Sequence, residues 1–412
     1  MMSQNELAIN GGPKACDRSF SPWPVYENDE IAAVTQVLQS GKVNYWGGTK
    51  VKAFEEAFAA LCGCDYAVAV ANGTLALELA LKAIFIETGD EVIVTSRTFF
   101  ASASAIVAVG GTPVFCDVDR ESGNLTANAI EAKITDKTKA VIAVHLAGWP
   151  CDMDPIMALA QKHDLIIIED CAQAHGAKHK GRAVGGIGHV GCFSFCQDKI
   201  ISTGGEGGML VTNDKNIWNK AWSYKDHGRG YDKVFNYNHP PGFRWLCEGY
   251  GTNWRLTEMQ AAIGLVQLKK LEGWVELRRR NAAMLKACFD EFSGLRTPVA
   301  PSNYYDASYK LYTFVEPENL TEGWDRSAVR EALRAEGLEI TDGACSEIYL
   351  EKAFDGPENY RPSSRLAVAR ELGETSLMFN VHHTLTIDEI TMMCQAVRKV
   401  MAVASKNIGN YL

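Results

Sequence analysis

Residues 191–210 read GCFSFCQDKIISTGGEGGML, an apolar run, a lysine and a glycine cluster in close succession. Cys192–Phe193–Ser194–Phe195 has the length and aromatic content of a short buried strand. Gly204–Gly205–Glu206–Gly207–Gly208 lets backbone approach backbone or a ligand closely. Lys199, framed between them, is expected to be poorly hydrated, a setting in which an amine is suited to attack a carbonyl. Upstream, Leu165–Ile166–Ile167–Ile168 is a continuous apolar run typical of a strand covered on both faces, and it ends in Glu169–Asp170. Ligands in open α/β sheets lie beyond the carboxyl ends of strands, which puts Asp170 at a ligand-facing position, although a carboxylate there also serves as a helix cap. A framed lysine and a carboxylate at two strand ends suit pyridoxal phosphate: the lysine forms the Schiff base and the acid keeps the ring nitrogen protonated.

The segments IIIEDCAQAHGA and FSFCQDKIISTGGEGG resemble the cofactor motifs of the StrS-like (DegT-type) sugar aminotransferases, pyridoxal-phosphate enzymes of fold type I. The resemblance runs from about Trp23 to the C-terminal helix. It implies a three-layer α/β fold with a mostly parallel central sheet, followed by a smaller α+β domain.

Composition agrees. A chain of 412 residues exceeds what one core usually holds, so two domains are expected, 1–268 binding the cofactor and 269–412 forming the small domain. No apolar run is long enough to span a membrane, and the first twenty residues lack the pattern of a signal peptide. The twelve cysteines are scattered, several inside apolar runs, without zinc-site spacing, and fit free thiols in a reducing cytoplasm. A net charge of −9 disfavours nucleic acid as a partner.

Along the chain, Asn28–Asp29–Glu30 caps an amphipathic helix, and Val51, Phe54, Phe58 and Leu61 mark a second. A strand from Tyr66 to Ala71 ends at Asn72–Gly73–Thr74 before an apolar helix. That arrangement points free N–H groups and a positive dipole end at a phosphate, and equally describes a turn with a cap. Strands at Glu91–Thr95, Pro113–Val118 and Ala140–His145 alternate with helices, the pattern of a parallel sheet. Trp222 to Gly251 is irregular and rich in Tyr, Trp, Gly and Pro. A loop that long is usually functional or an interface. Thr257 and Gln260 form a capping box opening a long helix. A strand at Tyr309–Val315, a helix at Arg326–Ala335 and a last helix capped by Thr386 and Glu389 belong to the small domain.

The resemblance implies phosphate contacts from Gly73, Thr74 and Ser194, ring stacking by Phe99, and Gln173 near the cofactor's phenolic oxygen. It also implies that Asn253 enters the partner subunit's site, making the enzyme a homodimer with shared sites; a plain turn before the helix is the other account of Asn253. His145 at a strand end, Arg229 in the irregular loop and His383 in VHHTL are the candidate substrate contacts, with a structural role the alternative for His145. The adjacent His382 and His383 lack metal-site spacing, so no metal is expected. The expected function is transfer of an amino group, from glutamate, to a keto group of a nucleotide-linked sugar in amino-sugar biosynthesis. A cyclitol aminotransferase or aminobenzoate-type synthase is the alternative, suggested by LAINGGPKA and VHLAG. A non-catalytic regulator on the same fold is the minor one.

Overall fold

The computed structural model describes residues 6–356 and 360–406. Its central sheet has the strands β1 (Tyr66–Val70), β2 (Glu91–Thr95), β3 (Thr112–Cys116), β4 (Thr138–Val144), β5 (Ile166–Asp170), β6 (Val190–Ser194) and β7 (Gly208–Thr212). They lie in the order β1-β7-β6-β5-β4-β2-β3. Strands β3, β2, β4, β5 and β6 pair in parallel, while β7 is antiparallel to β6 and β1.

Alternation along these strands explains their unbroken apolar runs. Val94, Ile142 and Ile168 enter one buried cluster, whereas Ile93, Val141 and Ile167 enter another on the opposite face with Ile156 and Leu159 of the Met153–His163 helix. The sheet is therefore the middle of three layers. Several strand limits differ from expectation, two of them beside the site. β5 continues through Glu169 and Asp170, because the pleat sends those two carboxylates to opposite faces where each finds donors. β6 begins at Val190, where pairing with Ile168 starts.

The Glu258–Phe289 helix spans 32 residues and opens with the Thr257–Gln260 capping box. Leu271 and Val275 pack in the large core, and Ala282, Leu285 and Phe289 pack in a second core. Residue 268, the expected domain boundary, thus lies inside one continuous helix. The second core sits on an antiparallel sheet of β8 (Leu295–Arg296), β9 (Lys310–Val315) and β10 (Ser376–Asn380), with the helices Arg326–Ala335 and Ile387–Ala404. Leu7 and Cys16, within the expected 1–268 domain, pack in this second core. The Trp222–Gly251 stretch is less irregular than expected: the Lys215–Lys225 helix runs into it and Tyr231–Phe235 forms a short helix. Among the described residues no helix is long and apolar enough to cross a membrane.

Candidate active site

The ends of β5 and β6 open onto a cavity of about 640 Å³. Asp170, 5% exposed, lines it from the end of β5. Its carboxylate accepts hydrogen bonds from Ser102 Oγ at 2.8 Å and the Ala172 N–H at 3.1 Å. Burial nevertheless raises its pKa, against the pull of those donors and of the nearby Lys199 charge.

Lys199 follows β6 with its side chain 16% exposed. Its carbonyl accepts from the Trp23 indole N–H at 2.9 Å, and its Nζ lies 3.4 Å from the Tyr309 hydroxyl and 3.5 Å from Asp198 Oδ1. The Tyr309 hydroxyl donates to the Asp198 carboxylate. Burial would raise the pKa of Asp198, but the Lys199 charge and the Tyr309 donor hold it below the usual carboxylate range.

Gly73 and Thr74 are the first residues of the Gly73–Ala83 helix, and Asn72 caps it by accepting from the Leu75 N–H at 2.9 Å. N–H groups in a first turn have no partner within the helix, so this end presents donors and a positive dipole to the cavity. A Cβ at Gly73 would stand 2.5 Å from Ser194 Cβ; only glycine lets the helix start lie on β6. Ser194 is buried beneath it, its Oγ accepting from the Cys196 N–H at 3.3 Å. Phe99 lines the cavity and is 69% exposed. Gln173 accepts from the Ala147 N–H at 2.8 Å through Oε1, which leaves its amide NH₂ as the free end at the cavity. Gly73, Thr74, Phe99, Asp170, Gln173, Ser194 and Lys199 thus surround one space.

A family model for the DegT/DnrJ/EryC1/StrS aminotransferases matches residues 24–398. The chain belongs to this family. It is 53% identical to an aminotransferase of Psychrobacter cryohalolentis, whose structure superposes with a TM-score of 0.91 over 93% of this chain and 99% of that one. It is 38% identical to the UDP-N-acetyl-3-dehydro-alpha-D-glucosamine 3-aminotransferase of Acidithiobacillus ferrooxidans, over 86% of this chain and 89% of that relative. It is also 38% identical to an L-glutamine:2-deoxy-scyllo-inosose aminotransferase of Streptoalloteichus tenebrarius, over 80% of this chain and 78% of that relative. The chain is thus a sugar aminotransferase of a pyridoxal-phosphate-dependent family, with relatives acting on nucleotide sugars and on cyclitols.

Four expected residues of this DegT-family aminotransferase lie away from its own cavity. His145 is fully buried: its Nε2 bonds Glu169 at 2.9 Å and its Nδ1 accepts from the Cys151 N–H at 2.9 Å. Glu169 beside it favours an imidazolium, but the Cys151 N–H aimed at Nδ1 leaves no place for a second proton, so the ring is neutral. Glu169 itself accepts from the Gly185, Ile187 and Gly188 N–H groups as well. Burial would raise its pKa, and the hydrogen bonds from His145 and these three N–H groups pull it down. His145 is therefore held as an internal strut, with both ring nitrogens occupied. His383 stacks on Trp274 at 4.1 Å and edges Trp23, the residue bonded to the Lys199 carbonyl; burial and nearby Arg278 push its pKa down to about 3. It buttresses the lysine segment from behind. Arg229 pairs with Asp226 at 3.0 Å, and Asn253 is exposed and bridged to the Asp226 backbone. Ser102, Asp198 and Tyr309 were not anticipated. Asp198 adjoins the lysine in sequence, but nothing local marks Ser102 or Tyr309.

Proposed function

We propose that this aminotransferase holds pyridoxal phosphate in the Lys199–Asp170 cavity and moves an amino group from glutamate to the keto group of a nucleotide-linked sugar. The observation that carries this reading is the placement of a lysine amine, a buried carboxylate and a helix N-terminus around one cavity. The residues fit the cofactor's polarity end to end. Gly73, Thr74 and Ser194 supply the donors for a phosphate, and the Gly73 cradle has no room for any Cβ. Among the described residues Asp170 has two donors, and its pKa is raised by burial, so a cationic ring nitrogen beside it would relieve that strain. When bound, the cofactor supplies a carbonyl for Lys199 and a ring that accepts electrons.

The chain's own groups do the rest. Ser102 orients the Asp170 carboxylate, Phe99 presents its ring face, and Gln173 offers its amide NH₂. Lys199 is the base that carries a proton to and from the substrate carbon, with Asp198 and Tyr309 beside its amine. Asn253, exposed and outside its own cavity, is assigned to the cavity of a second copy. The exposed Phe243, Trp245 and Tyr250 support this loop as the surface that meets that copy.

The sugar assignment is supported by the UDP-sugar relative, which aligns over more of both chains than the cyclitol relative does. The test is spectroscopic. Visible absorbance of the lysine-linked cofactor should fall on adding glutamate and return with a UDP-linked 3-keto sugar. Recovery with 2-deoxy-scyllo-inosose alone would move the enzyme to cyclitols, and no absorbance after incubation with pyridoxal phosphate would end the cofactor reading.

A further inference from the structure

Lys199 stands on backbone with no regular structure of its own. β6 ends at Ser194 and β7 begins at Gly208, with neither helix nor strand between them. The Lys199 N–H donates to the Cys196 carbonyl at 3.0 Å, which closes a turn without fixing where that turn sits. A base that moves a proton to and from one carbon must be closely placed, since a displacement of about 1 Å can cost about 10²-fold in rate. Contacts from outside the segment have to supply that placement.

Residues 21–26 supply it. At one end they are fastened to the small domain: the Ser21 N–H and Oγ both donate to the Glu389 carboxylate, and the Pro22 carbonyl accepts from Thr384 Oγ1 at 2.9 Å. At the other end they are fastened to the lysine segment. The Trp23 indole N–H donates to the Lys199 carbonyl at 2.9 Å, and the Tyr26 and Ser202 hydroxyls lie 3.3 Å apart. The Trp23 ring is itself slotted, edge-on to Trp274 at 5.3 Å and to His383 at 4.4 Å, with the Arg278 guanidinium 5.8 Å from its centre. Trp274 and Arg278 both belong to the Glu258–Phe289 helix, so the indole leans on the most continuous element of the fold. A ring walled in this way presents its one polar atom in a fixed direction, and that atom meets the Lys199 peptide.

We propose that Trp23 is a positioning residue for Lys199: through its indole N–H it ties the Lys199 peptide to a strap anchored on the small domain, and so sets where the Lys199 amine stands. Its catalytic consequence rests on the reading of Lys199 as the proton carrier, whereas the hold itself involves no cofactor. The small domain thereby gains a part in the chemistry, because a shift of Thr384 and Glu389 is passed along the strap to Lys199.

Two changes separate the donor from the ring. Trp23→Phe removes the N–H and one ring, while 3-benzothienylalanine incorporated at position 23 keeps both fused rings and lacks only the N–H. The first measurement is amide hydrogen exchange of cofactor-free protein, read by mass spectrometry over residues 196–203. Both variants should exchange there about threefold or more faster, the worth of one lost hydrogen bond, with β5 unchanged. The second is turnover of the cofactor-loaded enzyme, where kcat should fall about tenfold or more while KM for glutamate stays within about twofold. Wild-type exchange over residues 196–203 in the benzothienyl variant overturns the proposal, and so does wild-type kcat in both variants. Equal acceleration in β5 would make Trp23 a general stabiliser and overturns it too. Should Trp23→Phe not fold, the benzothienyl variant decides alone. A wild type that takes up no pyridoxal phosphate would end the cofactor reading, and the exchange comparison would still decide whether Trp23 holds Lys199.

Discussion

Among the described residues Asp170 accepts from Ser102 and Ala172 alone, and burial raises its pKa above that of an exposed aspartate. As pH rises, the unfolded chain gives up this proton before the folded chain does. The folded state therefore carries a penalty that is complete above the raised folded pKa, shrinks as pH falls through that value and is gone below the unfolded value of ~4. Asp170→Asn should thus raise the unfolding temperature of cofactor-free protein at pH 7, with the gain fading towards pH 4, as calorimetry at both pH values would show. The same change removes the negative charge intended for the ring nitrogen, so turnover should fall on the order of 10²–10³-fold. A variant both less stable at pH 7 and fully active would return Asp170 to the role of a cap. Lys199→Ala should bind no cofactor covalently and lose about 10³-fold or more of its activity; full transamination by that variant would remove Lys199 from the mechanism.

At the scale of elements, two features set the site: the start of the Gly73–Ala83 helix and the pleat of β5. The helix begins directly on β6, where a Cβ at Gly73 would meet Ser194 Cβ at 2.5 Å. Gly73→Ala must push the helix start away, which should lower stability by about 1–3 kcal/mol and weaken pyridoxal phosphate binding, measured by urea unfolding and by cofactor titration. Unchanged affinity would show that this helix end does not hold the phosphate. On β5 the pleat turns Glu169 away from the cavity, onto His145 and the N–H groups of Gly185, Ile187 and Gly188. Glu169→Gln puts an NH₂ where those donors converge and should cost about 1–3 kcal/mol in urea unfolding, the penalty of buried donors left unsatisfied. Its effect on catalysis should be slight by comparison, because Glu169 is absent from the cavity wall.

For the whole molecule, one helix of 32 residues ties the two cores together, and the exposed loop before it carries Asn253 outward. A shared site is tested by mixing two lesions. Lys199→Ala and Asn253→Asp should each be impaired alone, the second because its carboxylate repels a phosphate of about −2 charge. In a heterodimer both lesions fall in one site, so activity should reappear after the two are unfolded and refolded together. If Asn253 served its own subunit, every site would carry one lesion and no activity would return, even with heterodimers present.

The amino-acid sequence by itself determined the mostly parallel sheet and pointed to Gly73, Thr74, Asp170 and Lys199, while its family resemblance added Phe99, Gln173 and Ser194. Those features are local: strand alternation, the glycine-to-helix turn at Asn72–Gly73–Thr74, and the spacing of Asp170 from Gln173 are set within a few bonds of each other. Tertiary structure alone decided which distant groups reach the site. Tyr309 is 110 residues from Lys199 and Ser102 is 68 from Asp170. It also placed His145 and His383 off the wall of the cavity, although they sit at strand ends and turns as a substrate-facing histidine would. Whether an imidazole points into a cavity or accepts an N–H inside the core depends on how remote segments pack, and no local period carries that information.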